Sequence, residues 1–419
     1  MAEADRPLRL ALFAEQGHPD GSFRSGVTRL TGHLVDGCRH HGVEVDFFTY
    51  HREEGTDRDG CVRWHRAAPR LPVTVHGLRV DALDLLPLPN PRFRRPAEGR
   101  PYDVVLGTSP GIGTQGQLLA RARGIPFAAI YTTDLPNYAE ALVADPSRPL
   151  PFRRALGRLA RRGAWAYLRW LYHRRRTDLV LVPTEAARAD FVANVPARAQ
   201  VLGRGADTLS FPESPPESHD PVRLLYVGRV DYGEKNLRVL EEVVDRVEGA
   251  VLRVVGDGDD LPRMRERLAD RIDGGRVELT GRVNDTERLV SLYRSSDVFV
   301  FPSLYDTLGQ VVLEAQRAGL PVVVRDQGGP PELVHNGETG FVTPDDAAFV
   351  QRVEELVADE ELRRRMGRAA REHAESLPGW SDVIADLVGR LRALACGDPP
   401  APPSAPDPSS SSERRASAV

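Results

Sequence analysis

The stretch GRVDYGEKNL, residues 228–237, contains the only lysine of the chain: all of its 56 lysine and arginine residues except Lys235 are arginine. Lys235 lies six residues after Arg229, in a loop between an apolar run that ends at Gly228 and a predicted helix that begins near Asn236. Arginine offers a planar fork of donors and lysine a compact charge, and phosphates commonly bind both. A helix N-terminus beside the loop adds backbone N–H groups. The spacing predicts a diphosphate site; an ordinary surface lysine is the alternative, and it predicts other lysines elsewhere.

A second polar group follows the apolar run at 297–303. Asp306 lies in the predicted loop, and Glu314 lies one and a half turns into a helix that should begin near Gly309 and end at Gly319. Backbone N–H groups at the start of this helix face an incoming anion; they belong to Leu308, Gly309 and Gln310. A nucleotide sugar laid here would place its diphosphate on those N–H groups, its ribose on Glu314 and its sugar hydroxyls on Asp306. A capping aspartate beside an unrelated helical glutamate is the alternative.

Short apolar runs alternate with helix-length periodic segments along the chain, which is typical of parallel α/β sheets. These runs lie at 8–14, 43–49, 102–108, 126–132, 178–184, 222–228, 250–256, 276–281, 297–303 and 320–326. Many are rich in Val, Ile and Leu, as in strands buried on both faces, whose C-terminal loops carry function. The two halves predict two similar α/β sheets, joined by a linker rich in Pro, Ser and acids at 207–221.

Composition and charge exclude several classes. The net charge is −4 and the pI about 6.3, so no general nucleic-acid binding is expected. The three cysteines lie far apart, which fits reduced thiols rather than a metal site. No signal peptide and no membrane-spanning run is predicted, so a cytoplasmic protein is expected.

The segment 152–176 carries nine arginines interleaved with aromatic residues. One interpretation is a helix that lies on an anionic membrane surface. The favoured interpretation is a core-facing helix with a solvated arginine face. If the protein transfers a group to an acceptor, the membrane interpretation favours a lipid acceptor, and the core-facing interpretation favours a small metabolite.

Together these features resemble the family 4 glycosyltransferases, which are retaining enzymes of GT-B fold. The resemblance covers roughly residues 8 to 395. Within the family, the chain most resembles the mannosyltransferase and sulfoquinovosyltransferase branches. The matching segments are 25–30, 106–138, 182–191, 203–211, 228–237, 306–324 and 328–342.

The resemblance implies the following donor-site residues. Arg229 and Lys235, with Gly228 before them, would hold the donor diphosphate together with the N–H groups of Leu308, Gly309 and Gln310. Glu314 would bind the ribose, Asp306 the transferred sugar and Val283 would lie near the base. Gly26 would let its loop approach the phosphate from the opposite domain.

Two departures from the family pattern concern the reaction centre. The family more often has Glu at the position of Asp306, and it often has HTD where this chain has TTD, Thr132 to Asp134. A threonine hydroxyl cannot become cationic as a histidine can. The acceptor-side residues predicted from this region are Thr132, Asp134 and Tyr138.

The implied organisation is two Rossmann-like domains facing a cleft. An N-terminal acceptor domain is expected at 1–205, a linker at 206–220 and a donor domain at 221–376. A helix at 377–395 would cross back to the N-terminal domain, and a disordered tail would follow at 396–419.

The implied mechanism is a front-face displacement in which the leaving diphosphate takes the acceptor proton, so no protein nucleophile and no metal or other cofactor is expected. The acidic run VGDGDD (255–260) is interpreted as a glycine turn after a strand, with an N-cap, rather than as a metal motif. The donor is expected to be a GDP- or UDP-linked hexose, with the N-terminal stretch favouring GDP.

Two other classes remain open. GIGTQG (111–116) matches G-x-G-x-x-G after a strand, with Asp134 about 20 residues on, as in an NAD(P)-dependent enzyme. However, about a hundred residues precede it, whereas that fingerprint belongs to the first strand and helix. The departure at Thr132 also allows a catalytically impaired GT-B protein that binds sugar nucleotides without turnover.

Overall fold

The computed structural model describes residues 6–14, 26–51, 53–75, 78–86, 88–93, 101–108, 110–144, 152–214 and 218–397. The strands of the N-terminal half are β1 (Arg9–Phe13), β2 (Glu44–Tyr50), β3 (Gly55–Asp59), β4 (Val62–Ala67), β5 (Pro72–Val75), β6 (Leu78–Asp81), β7 (Val104–Gly107), β8 (Phe127–Ile130), β9 (Leu179–Val182) and β10 (Ala199–Val201). Eight of them form one sheet in the order β10-β9-β8-β7-β1-β2-β4-β3, in which β3 alone is antiparallel to its neighbour; β5 and β6 pair with each other.

The strands of the C-terminal half are β11 (Val222–Val227), β12 (Ala250–Val255), β13 (Val277–Gly281), β14 (Val298–Phe301), β15 (Val322–Arg325) and β16 (Gly340–Thr343). All pairings in this sheet are parallel, and the order is β13-β12-β11-β14-β15-β16. The sheet grows outward in both directions from β11 and β14. The loops that follow these two strands therefore diverge at the switch point of the sheet, where ligands of such sheets bind.

The helices connect these strands and cover both faces of each sheet. They are α1 (Gly26–His40), α2 (Pro110–Arg123), α3 (Leu135–Ala144), α4 (Arg153–Tyr172), α5 (Glu185–Asn194), α6 (Arg238–Arg246), α7 (Leu261–Arg267), α8 (Ala269–Asp273), α9 (Thr286–Arg294), α10 (Gln310–Arg317), α11 (Asp346–Ala358), α12 (Glu360–Ser376) and α13 (Trp380–Ala395). The prediction of two parallel-sheet α/β domains is confirmed.

The central strands are buried on both faces, as their continuous apolar runs predict. Every residue of β1, β7, β8, β9, β14 and β15 is buried. Such runs have no polar face to turn to water, so they are stable only between two layers of helices. All ten apolar runs contain a strand, while β3, β4, β10, β16 and the β5–β6 pair were not predicted.

The last helix returns to the N-terminal half. The buried face of α13 packs into the core of the first sheet together with Leu30 and Leu34 of α1. Trp380 stacks on His33 with ring centroids 4.3 Å apart. The backbone N–H of Trp380 donates to Asp207 at 2.7 Å and its indole N–H to Thr208 at 3.0 Å. The predicted crossover helix is therefore present, and the start of the linker holds its first turn.

The arginine-rich helix α4 divides into two parts. In its second half Trp165, Leu168, Leu171 and Tyr172 are buried in the core, as the favoured interpretation predicts. In its first half Leu156 and Leu159 are exposed, and so is Phe152 just before it. No helix among the described residues is long and apolar enough to cross a membrane. The predicted tail lies outside the described residues from 398 onward.

Candidate functional site

The loops after β11 and β14 are tied together at the switch point. The backbone N–H of Leu304 donates to the carbonyl of Glu234 at 3.0 Å. The buried Tyr226 donates its hydroxyl to the carbonyl of Arg229 at 2.7 Å, which holds the start of the first loop against the sheet. The two segments singled out from the sequence thus form one site.

Lys235 lies at the centre of this site. Its side-chain nitrogen Nζ donates to Oδ2 of Asp306 at 2.6 Å and lies 2.9 Å from Oε1 of Glu234. The residue is only 7% exposed, so it is not an ordinary surface lysine. Burial by itself would lower the pKa of Lys235, but the carboxylates of Asp306 and Glu234 outweigh it and raise the pKa above its usual value. The ammonium is therefore charged at neutral pH.

The four charged side chains of the site carry equal numbers of positive and negative charges. Arg229 pairs with Glu234 through Nη2, and Glu234 in turn contacts Lys235. Two cations, Arg229 and Lys235, thus face two carboxylates, Glu234 and Asp306, and the group is neutral overall. An arriving diphosphate would compete with these carboxylates for the two cations.

Asp306 bonds to the turn before helix α10 as well as pairing with Lys235. Its Oδ1 accepts the N–H of Gly309 at 3.2 Å, and the N–H of Leu308 also bonds to this carboxylate. Burial would raise the pKa of Asp306, but Lys235 and these N–H groups hold it below the usual value. The carboxylate therefore holds the turn that leads into α10, but its bonds are to N–H groups before the helix, so it does not cap the first turn of the helix itself. Two of the three N–H groups predicted for a phosphate are occupied in this state.

Glu314 is more enclosed than its predicted role with a ribose implies. It is 1% exposed, and Tyr293 donates its hydroxyl to Oε2 at 2.9 Å. A ribose could reach this carboxylate only after the surrounding side chains move. The role of Glu314 in binding a ribose stays a prediction.

Glycines bring the neighbouring loops close. A Cβ on Gly256 would lie 1.8 Å from the carbonyl oxygen of Gly228, and one on Gly228 would lie 2.8 Å from the Tyr226 hydroxyl. The run VGDGDD therefore forms the glycine turn that the sequence predicts, although Asp260 does not cap α7; it accepts the N–H of Tyr232 at 2.8 Å.

Val283 lies in the loop after β13 and packs, partly buried, on the core of the C-terminal sheet.

The loop after β11, which carries Lys235 and is called the lysine loop below, is followed by a helix that begins at Arg238 rather than near Asn236. Asn236 adopts a left-handed conformation with φ of 52°. Leu237 therefore stands between Lys235 and the helix start.

The predicted acceptor-side residues lie across from this site. Thr132 donates to the carbonyl of Thr108 at 3.0 Å, and its own carbonyl accepts the hydroxyl of Thr307 at 3.2 Å. Burial raises the pKa of Asp134, while its bonds to Asn137 act in the opposite sense.

Tyr138 lies within electrostatic reach of the lysine loop. Burial raises the pKa of Tyr138, and the Arg229 guanidinium acts in the opposite sense. The structure therefore brings residues predicted for the acceptor close to the loops predicted for the donor.

Further contacts hold the two halves together. Gln310 donates its side-chain amide to the carbonyl of Gly205 at 2.9 Å and to Thr208 at 2.8 Å. Glu332 accepts the N–H of Glu185 at 2.9 Å and that of Ala186, so a carboxylate of the C-terminal half caps α5 of the N-terminal half. Helix α10 thus touches both halves.

The remaining predicted features are placed as follows. Gly26 is the first residue of α1, and the loop before it lies outside the described residues.

The glycines of GIGTQG lie inside helix α2, where Gly113 packs on Gly107 and Gly116 on Phe13. In a dinucleotide fingerprint the first glycines form the loop before the helix, so the NAD(P) interpretation is wrong.

Among the described residues no group of three His, Cys, Asp or Glu side chains is arranged to hold a metal ion.

Two family models match the chain. "Glycosyl transferase 4-like domain" matches residues 25–205, and "Glycosyl transferases group 1" matches residues 208–373. A GDP-mannose-dependent alpha-mannosyltransferase of Mycolicibacterium smegmatis is 31% identical over 405 residues, which is 92% of this chain and 98% of that protein. A sulfoquinovosyl transferase of Arabidopsis thaliana is 30% identical over 404 residues, 88% of this chain and 71% of that protein.

Solved structures show the same fold. Sucrose-phosphate synthase of Thermosynechococcus elongatus superposes with a TM-score of 0.73 at 20% identity, covering 94% of this chain and 100% of that one. WaaG, a glycosyltransferase involved in lipopolysaccharide biosynthesis, gives a TM-score of 0.62 at 19% identity over 90% of this chain and 99% of that one. The sequence and fold together place this chain in the family 4 glycosyltransferases of GT-B fold.

Proposed function

We propose that this chain is a retaining glycosyltransferase that moves a hexose-type sugar from a nucleotide diphosphate sugar to an acceptor. The observation that carries the proposal is the buried ammonium of Lys235, 2.6 Å from Asp306 at the switch point of the donor-side sheet. Burying a charge is costly, so a site keeps one where it serves a ligand or a reaction.

The cations would act on the leaving group. As the bond between sugar and diphosphate breaks, negative charge grows on the phosphate oxygen, and Arg229 and Lys235 would stabilise it. The phosphate oxygen would take the proton of the attacking acceptor hydroxyl on the same face of the sugar. The new bond would then form on the face that the diphosphate leaves, and the anomeric configuration would be kept.

Asp306 would turn from Lys235 toward the sugar hydroxyls once the diphosphate engages the cation. The carboxylate is shorter than glutamate by one methylene, so it reaches a sugar in a different pose. Since the positive charge comes from side chains and N–H groups, we propose that turnover needs no metal ion. Turnover unchanged by EDTA supports this part, and loss of turnover that is restored by Mg²⁺ contradicts it.

The test of the reaction class is the stereochemistry of the product. Proton NMR of the transfer product, from an α-linked donor, should show the α-anomer from the first turnover. Appearance of the β-anomer would contradict the front-face reaction, and absence of any transfer would favour the impaired sugar-nucleotide-binding protein instead.

For the donor we propose GDP-sugar before UDP-sugar, supported by the similarity to a GDP-mannose-dependent mannosyltransferase. A thermal-shift panel of GDP- and UDP-linked sugars tests this choice, because a bound ligand stabilises the native state. A larger shift with UDP-sugars than with GDP-sugars would contradict it.

For the acceptor we propose a molecule presented at an anionic membrane surface. The first half of α4 exposes Leu159 at 63%, and Phe152 just before it is 85% exposed. Arg154, Arg158 and Arg162 are exposed on the same stretch. Apolar side chains among arginines suit insertion at lipid headgroups, with the cations on anionic lipid.

Co-sedimentation with vesicles of phosphatidylglycerol and phosphatidylcholine tests this surface. The double variant Phe152→Ser/Leu159→Ser should lose most vesicle binding, whereas Leu71→Ser, at another exposed leucine (53%), should not. Equal binding of both variants, or no binding by the wild type, would contradict the membrane surface and leave a small soluble acceptor.

A further inference from the structure

One half-buried guanidinium, that of Arg204, has no carboxylate partner among the described residues. Arg204 follows β10 and donates to the carbonyls of Leu202 and Gly203, both at 3.1 Å. Both bonds come from Nη1, so Nε and Nη2, which carry three of the five N–H groups of an arginine, have no partner in the described part of the chain. The side chain is nevertheless half-buried.

The surroundings of Arg204 offset none of its charge. Burial lowers the pKa of Arg204 to about 10, and no neighbouring acid counteracts this effect. Two of the three arginines that are buried in the described part of the chain pair with an acid: Arg9 with Asp46 at 3.2 Å, and Arg325 with Asp346. A half-buried cation without a counter-ion destabilises a fold, so its presence indicates an anion that arrives from outside.

The position of Arg204 connects it to the donor side. Its neighbour Gly205 accepts the side chain of Gln310, the first residue of α10. A Cβ on Gly205 would lie 2.4 Å from Trp380, so the segment is wedged between the crossover helix and α10. The first residue of α10 therefore contacts the residue next to Arg204 in the chain.

The donor site needs a further cation. Arg229 and Lys235 are balanced there by Glu234 and Asp306. A nucleotide diphosphate sugar would bring two negative phosphate charges to a group of side chains that is already neutral. A cation on the facing half of the chain would offset part of that charge.

We propose that Arg204 binds the diphosphate of the donor from the N-terminal half of the chain, which rests on the proposed function. The N–H groups of Nε and Nη2 donate to two phosphate oxygens, in the bidentate geometry that arginine forms with oxyanions. The diphosphate is then held between cations from both halves. These cations stabilise the negative charge that builds up on the diphosphate during transfer.

Isothermal titration with GDP, UDP, GMP and UMP tests this assignment on the full chain. In Arg204→Gln the affinity for the preferred nucleoside diphosphate should fall roughly 10- to 100-fold, the usual effect of a charge-assisted hydrogen bond. The affinity for the matching monophosphate should fall less. Arg198→Gln removes an exposed arginine at the other end of β10 and should leave both affinities unchanged.

Thermal unfolding of the ligand-free variants separates binding from folding. Arg204→Gln should unfold at the wild-type temperature or above, since it removes an uncompensated cation. A marked fall, with unchanged diphosphate affinity, would show that Arg204 only holds the carbonyls after β10 and would overturn the inference.

The remaining outcomes are distinct. If the wild type binds no nucleoside diphosphate, the proposed function fails and this inference fails with it. If the wild type binds tightly and Arg204→Gln binds equally well, only the role of Arg204 is overturned. Unchanged diphosphate affinity with a raised KM for an anionic acceptor would assign the guanidinium to the acceptor and overturn the donor assignment.

Discussion

Replacing Lys235 with arginine keeps the charge but changes its shape. Nζ lies 2.6 Å from Asp306 and 2.9 Å from Glu234, with the Phe301 ring 5.7 Å away, in a site where the residue is 7% exposed. A guanidinium is larger and planar, so it cannot place one donor at this point without shifting its neighbours. Inserting atoms into a filled site costs about 1–3 kcal/mol.

The expected loss of turnover follows from these contacts. Removing a well-placed donor from a developing anion lowers kcat roughly 10²- to 10³-fold. In Lys235→Arg a displaced cation remains, so we expect a smaller loss of roughly 10- to 100-fold, or about 1.4–2.8 kcal/mol. Lys235→Met, which leaves two buried carboxylates without their cation, should lose more turnover and destabilise the fold by about 3–5 kcal/mol.

The assay is the initial rate of nucleoside diphosphate release with saturating donor and acceptor, together with thermal unfolding. Arg238→Lys is the matched control, since Arg238 is exposed at the start of α6, and it should behave as the wild type. If folded Lys235→Arg turns over within about twofold of the wild type, the reasoning about the shape of this cation is refuted.

Three further predictions concern the surroundings of the site. Gly256→Ala should abolish donor binding and lower the unfolding temperature by several degrees, because its Cβ would meet the carbonyl of Gly228 at 1.8 Å. Gly249→Ala, also at positive φ but with open space around it, should lose only about 1 kcal/mol and keep binding. Burial raises the pKa of Asp84 from 3.8 to about 6, so the folded state binds this proton more tightly than the unfolded state. Relative to Asp84→Asn, the wild type should therefore gain about 2 kcal/mol of stability as the pH falls from about 7 to about 4. Glu332→Ala should remove about 1 kcal/mol of contact between the halves, and X-ray scattering should show a larger radius of gyration.

Each of these has an outcome that contradicts it. Equal effects of the two glycine variants would show that backbone strain, rather than the close approach to Gly228, decides the result. A wild-type stability that falls relative to Asp84→Asn on acidification would mean that the ion pair with Arg70, at 3.0 Å, outweighs burial. An unchanged radius in Glu332→Ala would show that other contacts hold the halves.

The sequence predicts the fold well wherever strands are buried on both faces. The run VVLG of β7 has no polar position, so it identifies a central strand directly. In contrast, β4 reads VRWHRA and is only half buried, and it lies near the edge of the sheet with only β3 outside it. Its mixed pattern of apolar and polar residues does not identify a strand from the sequence.

The sequence predicts both cations of the candidate site and one of the two carboxylates that pair with them, Asp306, but not the pairing of Glu234. Lys235 stands out because it is the only lysine, and Arg229 because of its spacing. Glu234 lies inside the matching segment 228–237 but was given no role there, because its pairing with both cations appears only when the loop folds. Arg204 was equally hidden, since the absence of a partner cannot be read from sequence.

The central claim is that the cation pair of the C-terminal half holds the diphosphate of a sugar donor. Calorimetric titration of the wild type and Lys235→Met with the preferred nucleotide sugar tests it most directly. The account predicts binding to the wild type and a loss of affinity of roughly 10-fold or more in the variant. Tight binding that is equal in both proteins would contradict it.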